Sequence, residues 1–258
     1  MKVAIIGAGN MGGAIARGMA QGTIVPAEDI TVSNPSQGKL DQLKKEFPAL
    51  NITCNNQEAV NHADLILLAV KPWLVKSVLL ELQIPAHTIL ASVAAGLSCA
   101  DLLEVQGEMK RPVLRIIPNT AISQLQSMTV LTGYNLSDSQ RSLITQIFDE
   151  MGTTLWLPEK QIGAATSLAS CGIAYVLKYM QAAMQAGIEM GIYPKDAMQL
   201  VAQSAKGAAD LLLHNDTHPA LEIEKVCTPG GLTIKGINTL DHEGFASAVI
   251  KAMKASLS

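Results

Sequence analysis

Three features predict an α/β amino-terminal domain built on a doubly wound parallel sheet, followed by an all-α carboxyl-terminal domain. The chain opens with a short β-branched run broken by regularly spaced glycines. Short apolar runs then alternate with helical spacing as far as Leu157, and residues 158–258 carry helical spacing without strand formers. The expected domains are therefore 1–157, a Rossmann-type dinucleotide-binding unit, and 158–258, a helical unit.

The opening run Val3–Ile6 stops at Gly7, and Gly7, Gly9 and Gly12 form G-x-G-x-x-G directly before a helical stretch with Ile15 and Met19 one turn apart. Gly7 permits a tight turn, Gly9 lets backbone amides approach a pyrophosphate, and Gly12 allows close packing of helix on strand. The helix N-terminus offers free N–H groups to the anion.

Ile30–Asn34 reads as a second strand. A strand in this place that serves NAD normally ends in Asp or Glu, which accepts from the ribose 2′-hydroxyl. Here it ends in Asn34, followed by Pro35, Ser36 and Lys39. Those groups can donate to a 2′-phosphate that a carboxylate would repel, so NADPH is expected in preference to NADH. Ser36 also reads as the cap of a helix over Gly38–Phe47.

A short strand around Ile52 precedes Asn56 and a brief helix, and the near-continuous apolar run Ala63–Val70 reads as a strand buried on both faces. It stops at Lys71-Pro72. Ligands of such sheets lie beyond the carboxyl ends of the strands, which places Val70, Lys71 and Pro72 beside the cofactor. Lys71 reads equally well as a solvated strand-end lysine. Thr88–Val93 repeats the pattern and is followed by Ala94-Ala95-Gly96, small residues that let a flat group lie close to the backbone. A strand from Val113, an amphipathic helix over Ser137–Met151 and a last strand over Thr153–Leu157 complete the alternation.

Past Pro158 the pattern is helical. Glu159–Met190 has the length of one long helix, Pro194 starts another, and two more follow Gly231 and Gly244. Their apolar residues occupy more than one face, so another surface must cover them, and a partner subunit is the simplest cover.

Composition narrows the function classes. The 258 residues are 48% hydrophobic and 16% charged, with net charge −3 and no Lys/Arg run suited to phosphate backbones, which argues against nucleic acid. Lys71, Pro72 and Asp64 interrupt the most hydrophobic stretch, so no membrane span is expected, and the initial apolar run is a strand rather than a signal peptide. Cys54, Cys99, Cys171 and Cys227 are far apart, without a C-x-x-C, which suits a reducing cytoplasm.

Among the chemistry-bearing stretches, Thr228-Pro229-Gly230-Gly231-Leu232-Thr233 is the most informative. Its turn amides can bind a carboxylate, with the hydroxyls of Thr228 and Thr233 in the same space. The same residues also read as an ordinary turn between helices. His214 and His218 lack an H-E-x-x-H context, so a zinc site is not expected. No G-x-S-x-G elbow or Cys–His pairing appears, and Glu222 with Glu224 reads as a solvated face.

Taken together, Ile-Gly-Ala-Gly-Asn-Met-Gly at the start, Ala-Val-Lys-Pro (69–72), Ser-Val-Ala-Ala-Gly (92–96), Pro-Asn-Thr (118–120), Ala-Ala-Thr-Ser-Leu (164–168) and Thr-Pro-Gly-Gly-Leu-Thr (228–233) resemble the pyrroline-5-carboxylate reductase family from end to end. The resemblance implies reduction of the cyclic imine 1-pyrroline-5-carboxylate to L-proline with NAD(P)H. It also implies a helical domain that interlocks two subunits, and in many members a pentamer of dimers. Carried over, Gly7, Ala8, Gly9, Asn10, Met11, Gly12, Asn34, Ser36, Asn56, Ala69, Val70, Lys71, Pro72, Val93, Ala94 and Ala95 would hold the cofactor. Gly230, Gly231 and Thr233 would hold the substrate carboxylate and ring nitrogen, with Thr228 nearby, Glu159 as a site-lining acid and Thr233 as the catalytic contact.

The chain departs from the family pattern at Ala121 (for Pro), through Ala169-Ser170-Cys171-Gly172-Ile173, and at Lys225 (for Asn). These positions fall where the resemblance places the substrate. The expected function is thus NADPH-dependent imine reduction. A reductase of another cyclic imine, or an NADPH-binding regulatory protein without turnover, are the alternatives.

Overall fold

The computed structural model describes residues 1–257, which divide into two compact units, 1–170 and 171–257. In the first, β1 (Val3–Ile6) is buried at every position. A parallel strand covered on both faces has no solvent side, so its residues do not alternate in polarity. The remaining strands are β2 (Ile30–Ser33), β3 (Asn51–Thr53), β4 (Leu65–Leu68), β5 (Ile89–Ser92), β6 (Val113–Ile117), β7 (Ser127–Tyr134) and β8 (Gly152–Trp156). They form one sheet of order β3-β2-β1-β4-β5-β6-β7-β8.

Helices α1 (Asn10–Met19) and α2 (Gln37–Glu46) lie on one face, α3 (Asn56–Val60), α4 (Pro72–Leu80) and α5 (Cys99–Gln106) on the other, and α6 (Asp138–Asp149) returns to the first. Successive residues of β1 serve opposite cores. Val3 and Ile5 meet Ile15 and Met19 of α1, whereas Ala4 and Ile6 belong with Val75 and Leu79 of α4 and Leu102 of α5. The chain reverses its direction of winding between β1 and β4, which opens a crevice at their carboxyl ends.

The sheet is predominantly parallel, as the sequence predicts, with one antiparallel pair that the sequence does not reveal. β7 runs antiparallel to β6, with Val113 opposite Tyr134. The link between them holds only a 3-10 turn over Thr120–Gln124, closed by Leu125 at φ 58°. That is too short for a parallel crossover, which takes a dozen or more residues. β7 mixes Ser127, Thr129 and Thr132 into its apolar positions and so presents no apolar run in the sequence.

The compact sheet unit runs past Pro158, to Ser170. Ile162 and Ala165 of α7 (Ile162–Ala165) pack on Val130 of β7, which keeps this segment with the sheet. Glu159–Met190 is not one helix: a 3-10 turn at Glu159–Gln161, α7, a π-helical stretch over Thr166–Cys171 and α8 (Gly172–Glu189) follow one another.

The second unit holds α8, α9 (Pro194–Asn215), α10 (Pro219–Val226), α11 (Leu232–His242) and α12 (Phe245–Ala255). Pro219 opens α10 at a first-turn position, where its missing N–H loses nothing, so it starts a helix rather than only ending one. Gly187 of α8 faces Ala197 of α9, and Tyr175 of α8 donates from its hydroxyl to the Ala252 carbonyl of α12 at 3.3 Å. Ala197 is the sole buried hydrophobic residue described in this unit.

Candidate active site

The glycine-rich turn has the geometry its spacing suggests. Gly7 takes φ +105°, and its N–H donates to the Ser33 carbonyl at 2.7 Å. A Cβ on Gly12 would collide with the Gly7 carbonyl oxygen and meet the Ala69 Cβ at 2.9 Å, so helix and strand touch there. A Cβ on Gly9 would meet nothing within 4 Å. The first turn of α1 has neither a side-chain cap nor an acidic residue, which leaves its N–H groups directed at the open space over Gly9.

Polar side chains at the neighbouring strand ends fix this edge. Buried Asn34 accepts from the Ala8 N–H at 3.1 Å through Oδ1, and its Nδ2 donates to Ser36 Oγ at 2.8 Å and to the Ser36 carbonyl at 3.0 Å. Ser36 precedes α2 but makes no capping bond with its side chain, because that hydroxyl serves Asn34 instead. Ser33 donates to Asn56 Oδ1 at 2.6 Å. Ala69 N–H donates to the Ile6 carbonyl and Val93 N–H to the Leu68 carbonyl, so the ends of β1, β4 and β5 stay in register. Ser92 Oγ accepts from the Ala94 N–H at 3.1 Å and shapes the Val93–Ala95 turn. Lys71 is the N-cap of α4, with Pro72 at its first position.

The second group sits between α10 and α11. Gly231 N–H donates to the Thr228 carbonyl at 2.9 Å across a turn with Pro229 second and Gly230 third, Gly230 at φ +71°. In this structure the Gly231 amide therefore closes the turn. The glycine matters for a second reason: a Cβ there would lie 2.5 Å from Thr228 Oγ1. Thr233 is exposed in the first turn of α11, which has no side-chain cap. Its hydroxyl makes no hydrogen bond within the described residues, and Lys225 pairs with Glu222 at 2.7 Å.

Glu159 belongs to the sheet unit. Its Oε1 accepts from the Cys99 N–H at 2.8 Å, at the start of α5, and from Arg115 Nη1 at 3.1 Å. It borders a cavity of about 380 Å³ shared with Tyr134, Arg141 and Trp156. Burial, followed by the charge of Glu159, pushes the Cys99 thiol up to about 12, so this cysteine stays neutral. No described group of His, Cys, Asp and Glu could hold a metal ion.

Residues 159–258 match the family model for pyrroline-5-carboxylate reductase dimerisation, and residues 2–96 match one described as NADP oxidoreductase coenzyme F420-dependent. Over 99% of its length the chain is 35% identical to the pyrroline-5-carboxylate reductase of Pseudomonas aeruginosa, and it covers 94% of that protein. The chain belongs to the pyrroline-5-carboxylate reductase family. It is also 35% identical to pyrroline-5-carboxylate reductase 1 of Dictyostelium discoideum over 98% of its own length, while spanning 48% of that longer protein. The crystal structure of the Plasmodium falciparum pyrroline carboxylate reductase with NADP bound superposes with a TM-score of 0.90 at 26% identity, covering 100% of this chain and 95% of that one.

In this member of the reductase family the sixteen expected cofactor positions thus gather at the carboxyl ends of β1, β2, β4 and β5 and beside β3, whereas Thr228, Gly230, Gly231 and Thr233 form a separate turn in the helical unit. Sequence reasoning missed Ser33, Ser92 and Arg115 as the groups that orient Asn56, the Val93–Ala95 turn and Glu159. A serine closing an otherwise apolar strand is the one signal that points to the first two.

Proposed function

We propose that this chain reduces the C=N bond of 1-pyrroline-5-carboxylate to give L-proline, with NADPH as the preferred reductant and a homodimer as the working unit. The observation that carries the cofactor assignment is the open space at Gly9 beside an uncapped helix start, a cradle that a Cβ would fill and that suits a pyrophosphate. A neutral Asn34 in place of a strand-end carboxylate puts no negative charge against a 2′-phosphate, and the Ser36 hydroxyl, which accepts from Asn34, keeps its own proton to donate there. Bound there, the reduced nicotinamide supplies the hydride.

The protein's own part is mostly placement, since a protonated imine is already electrophilic. The uncapped N–H groups of Leu232 and Thr233 suit the substrate carboxylate, and the unengaged Thr233 hydroxyl suits the ring nitrogen. Glu159 holds the start of α5 through Oε1 and keeps Oε2 for a ligand. The helical unit supports the dimer: Leu232 is 86% exposed, Tyr193 80% and Leu213 79%, a surface that a second copy would cover. No described helix is long and apolar enough to cross a membrane.

The test is steady-state turnover of a panel of cyclic imines with NADPH and with NADH. The proposal expects 1-pyrroline-5-carboxylate with NADPH to give the highest kcat/KM. A better rate with another imine would support the alternative substrate left open by Ala121 and the Ala169–Ile173 stretch.

A further inference from the structure

We infer that the indole of Trp73 is the platform on which the adenine of the dinucleotide stacks, an inference that rests on the cofactor reading above. Trp73 is 75% exposed, the most exposed of the large hydrophobic side chains described in the sheet unit. It follows Lys71 and Pro72 at the start of α4, at the carboxyl end of β4 and thus on the rim of the crevice between β1 and β4. α4 turns Val75 and Leu79 into the core, and Trp73 has no part in that packing.

The chain's other tryptophan shows what a structurally engaged indole looks like. Trp156 donates from Nε1 to Thr145 at 2.8 Å and lies under the Arg141 guanidinium at 4.7 Å. Trp73 has no hydrogen bond among the described residues, and its only ring contact is Lys71 Nζ, 6.0 Å from the centroid. An ammonium beside an open aromatic face suits a ligand that joins a flat base to phosphates: the base stacks on the ring and the cation attends the anion. Asn34 and Ser36, the groups assigned to the 2′-phosphate, lie at the end of β2, two strands away from β4 in the same sheet edge. The end of β1 and its glycine-rich turn lie between the two in the strand order.

The experiment measures binding of NADPH, of 2′,5′-ADP (adenine and 2′-phosphate without nicotinamide) and of reduced nicotinamide mononucleotide (no adenine) to the full-length wild type, Trp73→Ala and Trp73→Phe by calorimetry. Trp73→Ala is expected to weaken NADPH and 2′,5′-ADP by about five- to a hundredfold, the range for one lost aromatic–base stack. Trp73→Phe should restore most of the loss, and the mononucleotide should bind all three proteins alike. In Trp156→Phe, which leaves Trp73 as the one indole, 2′,5′-ADP should quench the fluorescence. Unchanged NADPH affinity in Trp73→Ala, with wild type binding normally, overturns the stacking role while the cofactor reading stands. A variant that binds NADPH normally but sediments as a smaller species overturns it in favour of a subunit contact. A wild type that binds no dinucleotide removes both.

Discussion

Asn34 reaches from the end of β2 to the glycine-rich turn, accepting a hydrogen bond from the Ala8 N–H at 3.1 Å. The residue proposed to face the 2′-phosphate therefore also fixes the loop proposed to hold the pyrophosphate. Asn34→Asp keeps an acceptor for Ala8 but places a negative charge beside Ser36. NADPH should bind more weakly by roughly ten- to a hundredfold, the value of one or two hydrogen bonds to a charged group, and NADH much less so. Titration of both cofactors decides it, and equal losses would mean that the 2′-phosphate is read elsewhere.

Gly9 and Gly12 should separate binding from folding. Gly12→Ala drives a methyl into the Gly7 carbonyl and Ala69, so it should lower the melting temperature sharply. Gly9→Ala has free space for its methyl and should melt like the wild type while losing NADPH. Parallel thermal melts and binding isotherms test the pair. A Gly9→Ala protein with normal NADPH affinity would show that nothing needs the space over that residue.

Much of this was readable in the residues themselves, and the exceptions have physical causes. The fully buried runs at Val3–Ile6 and Leu65–Leu68 announce themselves because a two-sided core demands unbroken apolar sequence. β7 does not, since its Thr129 and Thr132 are buried with local partners or against the sheet and break the pattern. The Pro229–Gly230 turn was legible from composition, but the engagement of the Gly231 amide was not, because a hydrogen bond inside a turn leaves no trace in residue type. Glu159 enters only through the family resemblance, as a site-lining acid; that it would meet Cys99, sixty positions away, and Arg115 depends on the intervening fold.

Glu159→Ala should destabilise the sheet unit by about 1 kcal/mol through the lost helix-start contact, with little from the partly exposed pair with Arg115. A lower melting temperature with a normal KM for 1-pyrroline-5-carboxylate would confine Glu159 to holding α5. A raised KM at unchanged melting temperature would place its Oε2 on the substrate.

Thr233→Ala should lower turnover of 1-pyrroline-5-carboxylate by about ten- to a hundredfold, the loss of one oriented hydrogen bond in a partly desolvated site. Since the hydroxyl caps nothing in α11, the melting temperature should hold. Lower stability with unchanged turnover would make Thr233 a helix-start residue only.

Transfer of label is the most direct measurement of the central assignment. With NADPH deuterated at the transferable C4 position and 1-pyrroline-5-carboxylate as substrate, mass spectrometry and NMR should find L-proline carrying one deuterium at C5, with the nitrogen taking its proton from solvent. Bound NADPH that yields no labelled proline, from a folded and dimeric protein, would contradict the account and leave a dinucleotide-binding protein without this activity.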